Sequence, residues 1–591
     1  MKVCLGQINT TPGDFEGNIS AIKKGIDLAV AGDCDLVVFP ELSIPGYLSQ
    51  DLIYHTEFVD QNLKALEDLI TYTKGKSNRL HVVVGYIGRN EGAGKPFYNM
   101  ASVFTNGEVA GTYKKQLLPF YDVFDELRYF EPGNELLMLK IAGKKVGVTI
   151  CEDLWNDKNT DNYNYTNNPI AQYRSAGAEV ILSLNSSPFV HDKPWQRLNH
   201  IAPATNEGLC IVYVNQRGGQ DELVFDGQSF VLVDGNLIHL SSEIFRDSFD
   251  IVDIASAPVV LAHVNDVGNR SRVLSQSASL FDLLVLCLRD YVEKSGFDSL
   301  VIASSGGVDS AVVCKLACAA VGAKNVHAVR MPSIYSSDHA RNDAIELHEN
   351  LGCWDYEVEI FHESLVSMLN EKFHGFPNDA SNLVTKKMLR GYGSVADENI
   401  QARLRDLYLM HFSNAFGAMP LATGNKIESA CGFYTHFDMN FSFAPIKDLC
   451  KYQVVELAKG CVEIPSNIWK KPPSAELAPD QIDEESLLPY AILDPIVCAY
   501  VEDYVSTFDE FKRWGETQLS DKTSVSMVLN SMDPARFESW LNQAGAASDF
   551  HRIISLIGRM EYKRRQTCPG IKVSKVAFGI GRRIPIVEHW S

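Results

Sequence analysis

The chain of 591 residues carries 54 Lys and Arg against 74 Asp and Glu, a net charge of −20, with 46% hydrophobic and 22% charged residues. This length allows about two to four globular domains with sizeable cores. The acidic balance argues against a nucleic-acid-coating surface, because phosphate backbones need a basic face, yet it permits an anionic small ligand in a locally positive pocket.

Residues 1–262 are rich in short β-like runs, "KVCLGQI", "CDLVVFPE", "HVVVGYIG", "KKVGVTIC", "AEVILSLN", "LCIVYVNQ" and "SFVLVDG", separated by helical stretches such as "NISAIKKGIDLAVAG". Buried strands alternating with helices predict an α/β domain. The N-terminal "MKVCLGQINT" has a strand pattern rather than that of a signal peptide, and no apolar run approaches the ~20 residues that span a membrane. The thirteen cysteines form no CxxC pairs, which predicts buried thiols in a reducing, cytoplasmic compartment. The Asn-rich stretch 156–169 reads as a surface loop. Residues 263–276 read as a linker, and a second α/β domain is expected over 277–591. Its elements are the strand "SLVIA", the strand in "NVHAVRMPS", a long helix over "NIQARLRDLYLMHFSNAF" and a strand and turn in "PLATGNK". An acidic helical subdomain over "SAELAPDQIDEESLLPYAILDPIV" follows.

The most informative string is "ASSGGVDS", residues 303–310. Gly306 and Gly307 let the backbone approach a ligand, and the helix that follows turns free N–H groups and its positive dipole end toward the same place. The Walker pattern GxxxxGK[ST] is absent. Asp309 is a carboxylate in a phosphate cradle, and a hard cation such as Mg2+ would reconcile the two. SGGxDS after an apolar strand resembles the pyrophosphate-releasing ATP enzymes, which adenylate an oxygen and then admit an amine.

A second constellation lies upstream. Glu41 follows a buried strand in "VVFPELSIPGY", Lys115 lies in "YKKQLLPFYDVFDE", and Cys151 ends a strand in "GVTICEDLW". A thiol attacks as thiolate, a lysine stabilises that anion and a developing oxyanion, and a glutamate moves the proton. In this order the three resemble the Glu–Lys–Cys pattern of the carbon-nitrogen hydrolase (nitrilase) superfamily. The K-x-x-L-P spacing selects Lys115 over Lys114, and Glu126 stands where the superfamily places a second acid.

Together the halves resemble the glutamine-dependent NAD+ synthetases over essentially the whole chain. "MPSIYSS", "ENIQARLR", "ATGNKIE", "FAPIKDLCK", "KPPSAEL" and "EYKRRQTCPGIKVSKVAFGIGRR" carry that resemblance in the second half. It implies a nitrilase-like α-β-β-α sandwich, then a Rossmann-like parallel-sheet domain with helical C-terminal additions. It implies ATP-dependent amidation of deamido-NAD+ by ammonia cut from glutamine and passed internally. Mg2+ is the implied cofactor, and the implied assembly is a homo-oligomer, dimer or octamer, with no nucleic-acid or membrane partner. Glu41 is then general base, Lys115 oxyanion stabiliser and Cys151 nucleophile. Tyr121, Ser187 and Lys193 fall where the family holds glutamine. Ala303, Ser304, Ser305, Gly306, Gly307, Val308, Asp309, Ser310, Met331, Thr423 and Lys426 fall at ATP. Asn399, Arg403, Glu428, Lys447 and Lys563 fall at deamido-NAD+, with Asp309 and Glu428 at the metal. The sequence departs from the family at Ala303 and Ser304, at Ile334, and at "THFDM", where Asp438 loses its register. A GMP-synthetase-like amidotransferase is the alternative reading of SGGxDS, but no histidine partner of the kind its glutaminase uses accompanies Cys151.

Overall fold

The computed structural model describes residues 1–591 except 157–164, 255–259, 265–269, 374–394, 438–440, 472–476, 478–486, 522–525, 527, 532 and 587–591. Most of the Asn-rich loop, Asp438 and much of the acidic 474–486 segment therefore lie outside the described residues. The chain forms two compact units, Met1–Cys287 and Leu288–Ser591. The stretch expected as a linker contains the helix Arg270–Ser275.

The strands of the first unit are β1 (Lys2–Gln7), β2 (Leu36–Val38), β3 (His81–Arg89), β4 (Phe97–Thr105), β5 (Glu108–Lys114), β6 (Met138–Ile141), β7 (Lys144–Ile150), β8 (Val180–Asn185), β9 (Cys210–Asn215), β10 (Arg217–Gln220), β11 (Leu223–Asp226), β12 (Phe230–Val233), β13 (Asn236–Leu240), β14 (Ser248–Asp253) and β15 (Ala262–His263). They build a six-stranded sheet in the order β14-β1-β2-β3-β4-β5, a seven-stranded sheet in the order β15-β13-β12-β9-β8-β7-β6, and the hairpin β10-β11. One core joins the inner faces, with Val3, Leu36, Val83 and Ala101 from the first sheet against Val146, Leu182, Val212 and Val231 from the second. Helices Phe15–Ala31 and Thr56–Tyr72 cover the outer face of the first sheet through Ile22, Ile26, Leu66 and Leu69. Helices Pro169–Ser175 and Lys193–Ile201 cover the second through Ile170, Tyr173, Trp195 and Leu198. The first unit is thus an α-β-β-α sandwich, in which strands β2 and β8 are buried along their whole length, β2 as an apolar run and β8 with Ser183 and Asn185 among its apolar residues.

The second unit has four parallel strands, β16 (Leu300–Ala303), β17 (Val326–Arg330), β18 (Trp354–Glu357) and β19 (Met419–Leu421), in the order β18-β17-β16-β19. The chain steps outward through β17 and β18 and then returns to the other side of β16. This creates a switch point between β16 and β19, where open α/β sheets bind ligands at their carboxyl ends. The long helix Val395–Phe416 precedes β19. Helices Tyr490–Glu502, Phe508–Ser520, Pro534–Leu541 and Ala546–Arg559 share a separate core around Phe511, Phe537, Trp540 and Phe550. Among the described residues no helix is long and apolar enough to cross a membrane.

Candidate active site in the first unit and nucleotide site in the second

In the first unit the ends of three strands deliver Glu41, Lys115 and Cys151. Glu41 follows β2, and its turn presses on β3, where a Cβ built on Gly85 would meet Leu42 N at 2.2 Å; only glycine fits there. Lys115 follows β5 and is fully buried, with Nζ 2.6 Å from Glu41 Oε1 and 2.8 Å from both Glu126 oxygens. Asn99 donates to Glu41 Oε1 at 2.7 Å, the Ser186 N–H to Glu41 Oε2 at 3.3 Å, and Tyr47 O–H to Glu126 Oε1 at 3.2 Å. Burial pushes the Glu126 carboxyl up to about 7, with the Lys115 ammonium resisting and Glu41 adding to the rise. Lys115 is held well above its ordinary value because the two carboxylates outweigh its own desolvation.

Cys151 follows β7 with φ of 42°, a left-handed backbone that side chains rarely adopt and that marks a strained functional turn. Asp153 holds that turn. It accepts the Ile150 N–H at 2.9 Å, the Gln116 and Leu117 N–H groups at 3.1 and 2.9 Å, and Tyr113 O–H at 2.8 Å. One buried carboxylate thus locks the cysteine turn to the segment that carries Lys115. Burial first and Glu41 second raise the Cys151 thiol well above its ordinary value, while Lys115 pulls the other way.

Glu152, next to Cys151, is 3% exposed and accepts O–H bonds from Tyr121 (3.0 Å) and Tyr165 (2.8 Å). Burial lifts its carboxyl to about 7. Sequence reading found Tyr121 but missed Glu152 and Asp153, although both stand in the quoted "CEDLW". Ser187 is buried, its N–H bonded to Asn215 and its carbonyl to Arg197, which in turn pairs with Asp226 at 2.8 Å. The Lys193 ammonium lies 4.3 Å from the centre of the Trp155 ring, which stacks on His200.

In the second unit the loop after β16 is closed internally. Ser310 Oγ donates to Gly307 O at 3.0 Å, and the Gly307 N–H donates to Ser305 Oγ at 3.2 Å. The helix Val308–Val321 begins there with Ala303 behind it and Val308 packed inward. Asp309 accepts from the Asn425 amide at 3.1 Å and is ion-paired with Lys451. Asn425 caps the helix Lys426–Cys431, and its own N–H donates to Glu428 at 3.1 Å. One residue therefore gathers the Asp309 and Glu428 carboxylates. Two hard oxygen donors beside this glycine-containing loop would suit Mg2+, a cation that needs only one or two carboxylates from a protein. Among the described residues no group of three or more His, Cys, Asp or Glu is placed to hold a metal ion. Thr423 lies half-buried after β19, and Met331 follows β17, its carbonyl accepting from Arg405 at 3.0 Å.

Lys426 turns inward: it is fully buried, with Nζ 2.6 Å from Glu502, 3.1 Å from Asp448 and 2.8 Å from Ser574 Oγ. Lys451, which the sequence did not single out although it ends "FAPIKDLCK", is the cation actually at Asp309.

Asn399, Arg403 and Lys563 converge on one turn. Asn399 accepts from Thr435 at 2.5 Å, Arg403 donates to His436 O at 3.1 Å, and Lys563 donates to Gly432 O and Tyr434 O at 2.8 and 2.6 Å. Burial and the charge of Arg403 lower the Lys563 ammonium. Lys447 stands apart, donating to Cys568 O at 2.6 Å.

Residues 2–241 match the carbon-nitrogen hydrolase family and residues 280–537 the NAD synthase family. The glutamine-dependent NAD(+) synthetases of Thermotoga maritima and Aquifex aeolicus are each 34% identical to this chain over 100% of its length, and over 99% and 100% of theirs. The solved glutamine-dependent NAD+ synthetase of Acinetobacter baumannii, in complex with ADP, has a TM-score of 0.67 and 31% identity, covering 100% of this chain and 99% of that one. That of Cytophaga hutchinsonii, with a TM-score of 0.73 at 18% identity over 100% and 98%, shares the fold. With a carbon-nitrogen hydrolase match in the first half, an NAD synthase match in the second and end-to-end relatives that join the two, the chain belongs to the glutamine-dependent NAD+ synthetase family.

Proposed function

We propose that the first unit hydrolyses glutamine and that the second uses the ammonia to convert deamido-NAD+ to NAD+, cleaving ATP to AMP and pyrophosphate. The observation that carries this reading is the buried Glu41–Lys115–Glu126 cluster, whose charges act on Cys151, in a chain whose other half bears the SSGGVDS loop. Glu41 takes the Cys151 proton as sulfur attacks the side-chain amide carbon, and Lys115 stabilises the oxyanion. Glu41 returns the proton to the leaving ammonia, and water then cleaves the thioester to glutamate.

Glu152, backed by Tyr121, is a buried carboxylate suited to the substrate's ammonium, while Ser187 and Lys193 are suited to its carboxylate. Glu152→Gln is expected to raise KM for glutamine about tenfold or more with a smaller effect on kcat, because a buried charge partner is lost. Steady-state glutamate release measures this, and an unchanged KM would remove Glu152 from the substrate site.

In the second unit the loop from Ala303 to Ser310 and Thr423 cradle ATP. Asn399, Arg403, Lys447 and Lys563 hold the dinucleotide, and Asp309 and Glu428 would hold Mg2+, whose charge offsets that of the polyphosphate. The same reading includes a cytoplasmic homo-oligomer, dimer or octamer.

The test is NAD+ formation from deamido-NAD+ and Mg-ATP with glutamine or ammonium as donor, for the parent and Cys151→Ala. The variant is expected to lose glutamine use by at least about 10^3-fold and to keep ammonium use. A parent inactive with both donors would show that the second unit acts on another acceptor.

A further inference from the structure

The helix Asp338–Leu351 braces the phosphate loop at two points. A Cβ built on Gly306 would meet Ala340 O at 2.3 Å, so the loop backbone rests on the first turn of that helix. The second point is a buried polar relay at its last turn. His348 Nε2 lies 2.9 Å from Ser304 Oγ, and His348 Nδ1 lies 2.7 Å from Asp355 Oδ1. Arg330, the last residue of β17, donates to the two Asp355 oxygens at 2.7 Å each and also pairs with Glu357. The Ser304 N–H donates to Val329 O at 2.9 Å. Ser304 is thus fixed by backbone and side chain together, one residue before the Ser305–Gly306–Gly307 turn.

The chemistry gives this relay a direction. Asp355, held ionised by burial-opposing bonds from Arg330 and His348, only accepts, so the proton of the imidazole sits on Nδ1. Burial holds His348 below its ordinary value; Asp355 opposes that and Arg330 adds to it. A neutral ring with Nδ1–H presents Nε2 as acceptor, and the Ser304 hydroxyl must donate to it. Aspartate, histidine and serine in this order resemble a hydrolase triad, but Ser304 is 4% and His348 1% exposed, so no substrate reaches the hydroxyl. What the relay governs is the loop. Ser304 is also one of the two positions where the string departs from the usual motif, and a buried hydroxyl there requires a partner.

We infer that His348 is a positioning residue of the nucleotide site, setting the geometry of the phosphate loop through the Ser304 hydroxyl. This rests on the reading of residues 303–310 as the ATP site. The test is ammonium-dependent NAD+ formation, with KM for ATP, kcat and thermal stability measured for Ser304→Ala, His348→Leu, His348→Gln and the double variant Ser304→Ala/His348→Leu. His348→Leu is expected to raise KM for ATP about tenfold with kcat changed less than about twofold, an effect of the size expected for a coupled buried pair. His348→Gln, whose amide oxygen can accept the Ser304 proton, restores most of it. The double variant is no worse than the worse single, and glutamate release is unchanged throughout. A KM for ATP within about twofold of the parent in His348→Leu, or multiplying effects in the double variant with no rescue by glutamine, overturns the inference. Should His348→Leu fail to fold, Ser304→Ala on the parent and on His348→Gln reads the same coupling. A parent that makes no NAD+ from ammonium and ATP sinks the ATP-site reading and this inference together, whereas an active parent with indifferent variants sinks this inference alone.

Discussion

Replacing Lys115 with methionine is expected to slow glutamine hydrolysis by about 10^3-fold or more and to destabilise the first unit by about 3–5 kcal/mol. Both effects come from one ammonium. Lys115 is enclosed between Glu41 and Glu126 with no solvent exposure, so its removal leaves two carboxylates buried and facing each other. It also removes the positive charge that opposes the upward push of burial and Glu41 on the Cys151 thiol. A second substitution separates stability from catalysis. In Lys115→Met/Glu126→Gln one buried charge is gone, and Glu41 keeps the Asn99 amide and the Ser186 N–H as donors. Stability is expected to recover by at least half, while hydrolysis stays lost because no cation remains for the thiolate and the oxyanion. Chemical denaturation and glutamate release measure the two arms. Hydrolysis within about tenfold of the parent in Lys115→Met would reduce Lys115 to a structural counter-ion.

The fold is legible wherever strands are buried on both faces. The runs around β1, β2, β3, β7, β8 and β9 are rich in apolar residues and are strands in the structure. The antiparallel partner β5 is not legible, because "EVAGTYK" is exposed along much of its length and looks like any polar stretch. Site residues were legible when a motif fixed them and illegible when only a long-range partner did. Glu41, Lys115 and Cys151 come from three separate strings, yet the structure brings Glu41 and Lys115 into direct contact and places both where their charges act on Cys151. Lys426 sits in the motif string "ATGNKIE", but its position at the start of a helix does not reveal which way the side chain turns. Asp448, Glu502 and Ser574, which draw it inward, lie far away in sequence. Lys451 was missed for the mirror-image reason, since its partner Asp309 is 142 residues away.

Asp309→Asn is expected to lower kcat/KM for Mg-ATP by about 10^2–10^3-fold with either nitrogen donor, and to leave glutamate release in the first unit near the parent rate. The substitution keeps the size and one acceptor oxygen for the Asn425 amide and loses only the acceptor that meets Lys451, so the loop geometry set by Gly306, Ser305 and Ser310 survives. What disappears is the charge. In the protein that charge is balanced by Lys451 and steadied by the Asn425 side-chain amide, while the Asn425 backbone N–H donates to Glu428. An acidic chain that is to bind a polyphosphate gains nothing from a bare carboxylate at a helix N-terminus, where the dipole alone would welcome phosphate. The carboxylate would make sense if Asp309, now paired with the Lys451 ammonium, held a divalent cation that offsets the charge of the polyphosphate. Removing the charge while keeping the shape should therefore weaken the response to Mg2+ more than the response to nucleotide. A titration of activity against Mg2+ at saturating ATP is expected to shift to higher concentration in Asp309→Asn. An unshifted titration with a raised KM for ATP would make Asp309 an ordinary first-turn helix residue and leave Glu428 to hold the metal without it.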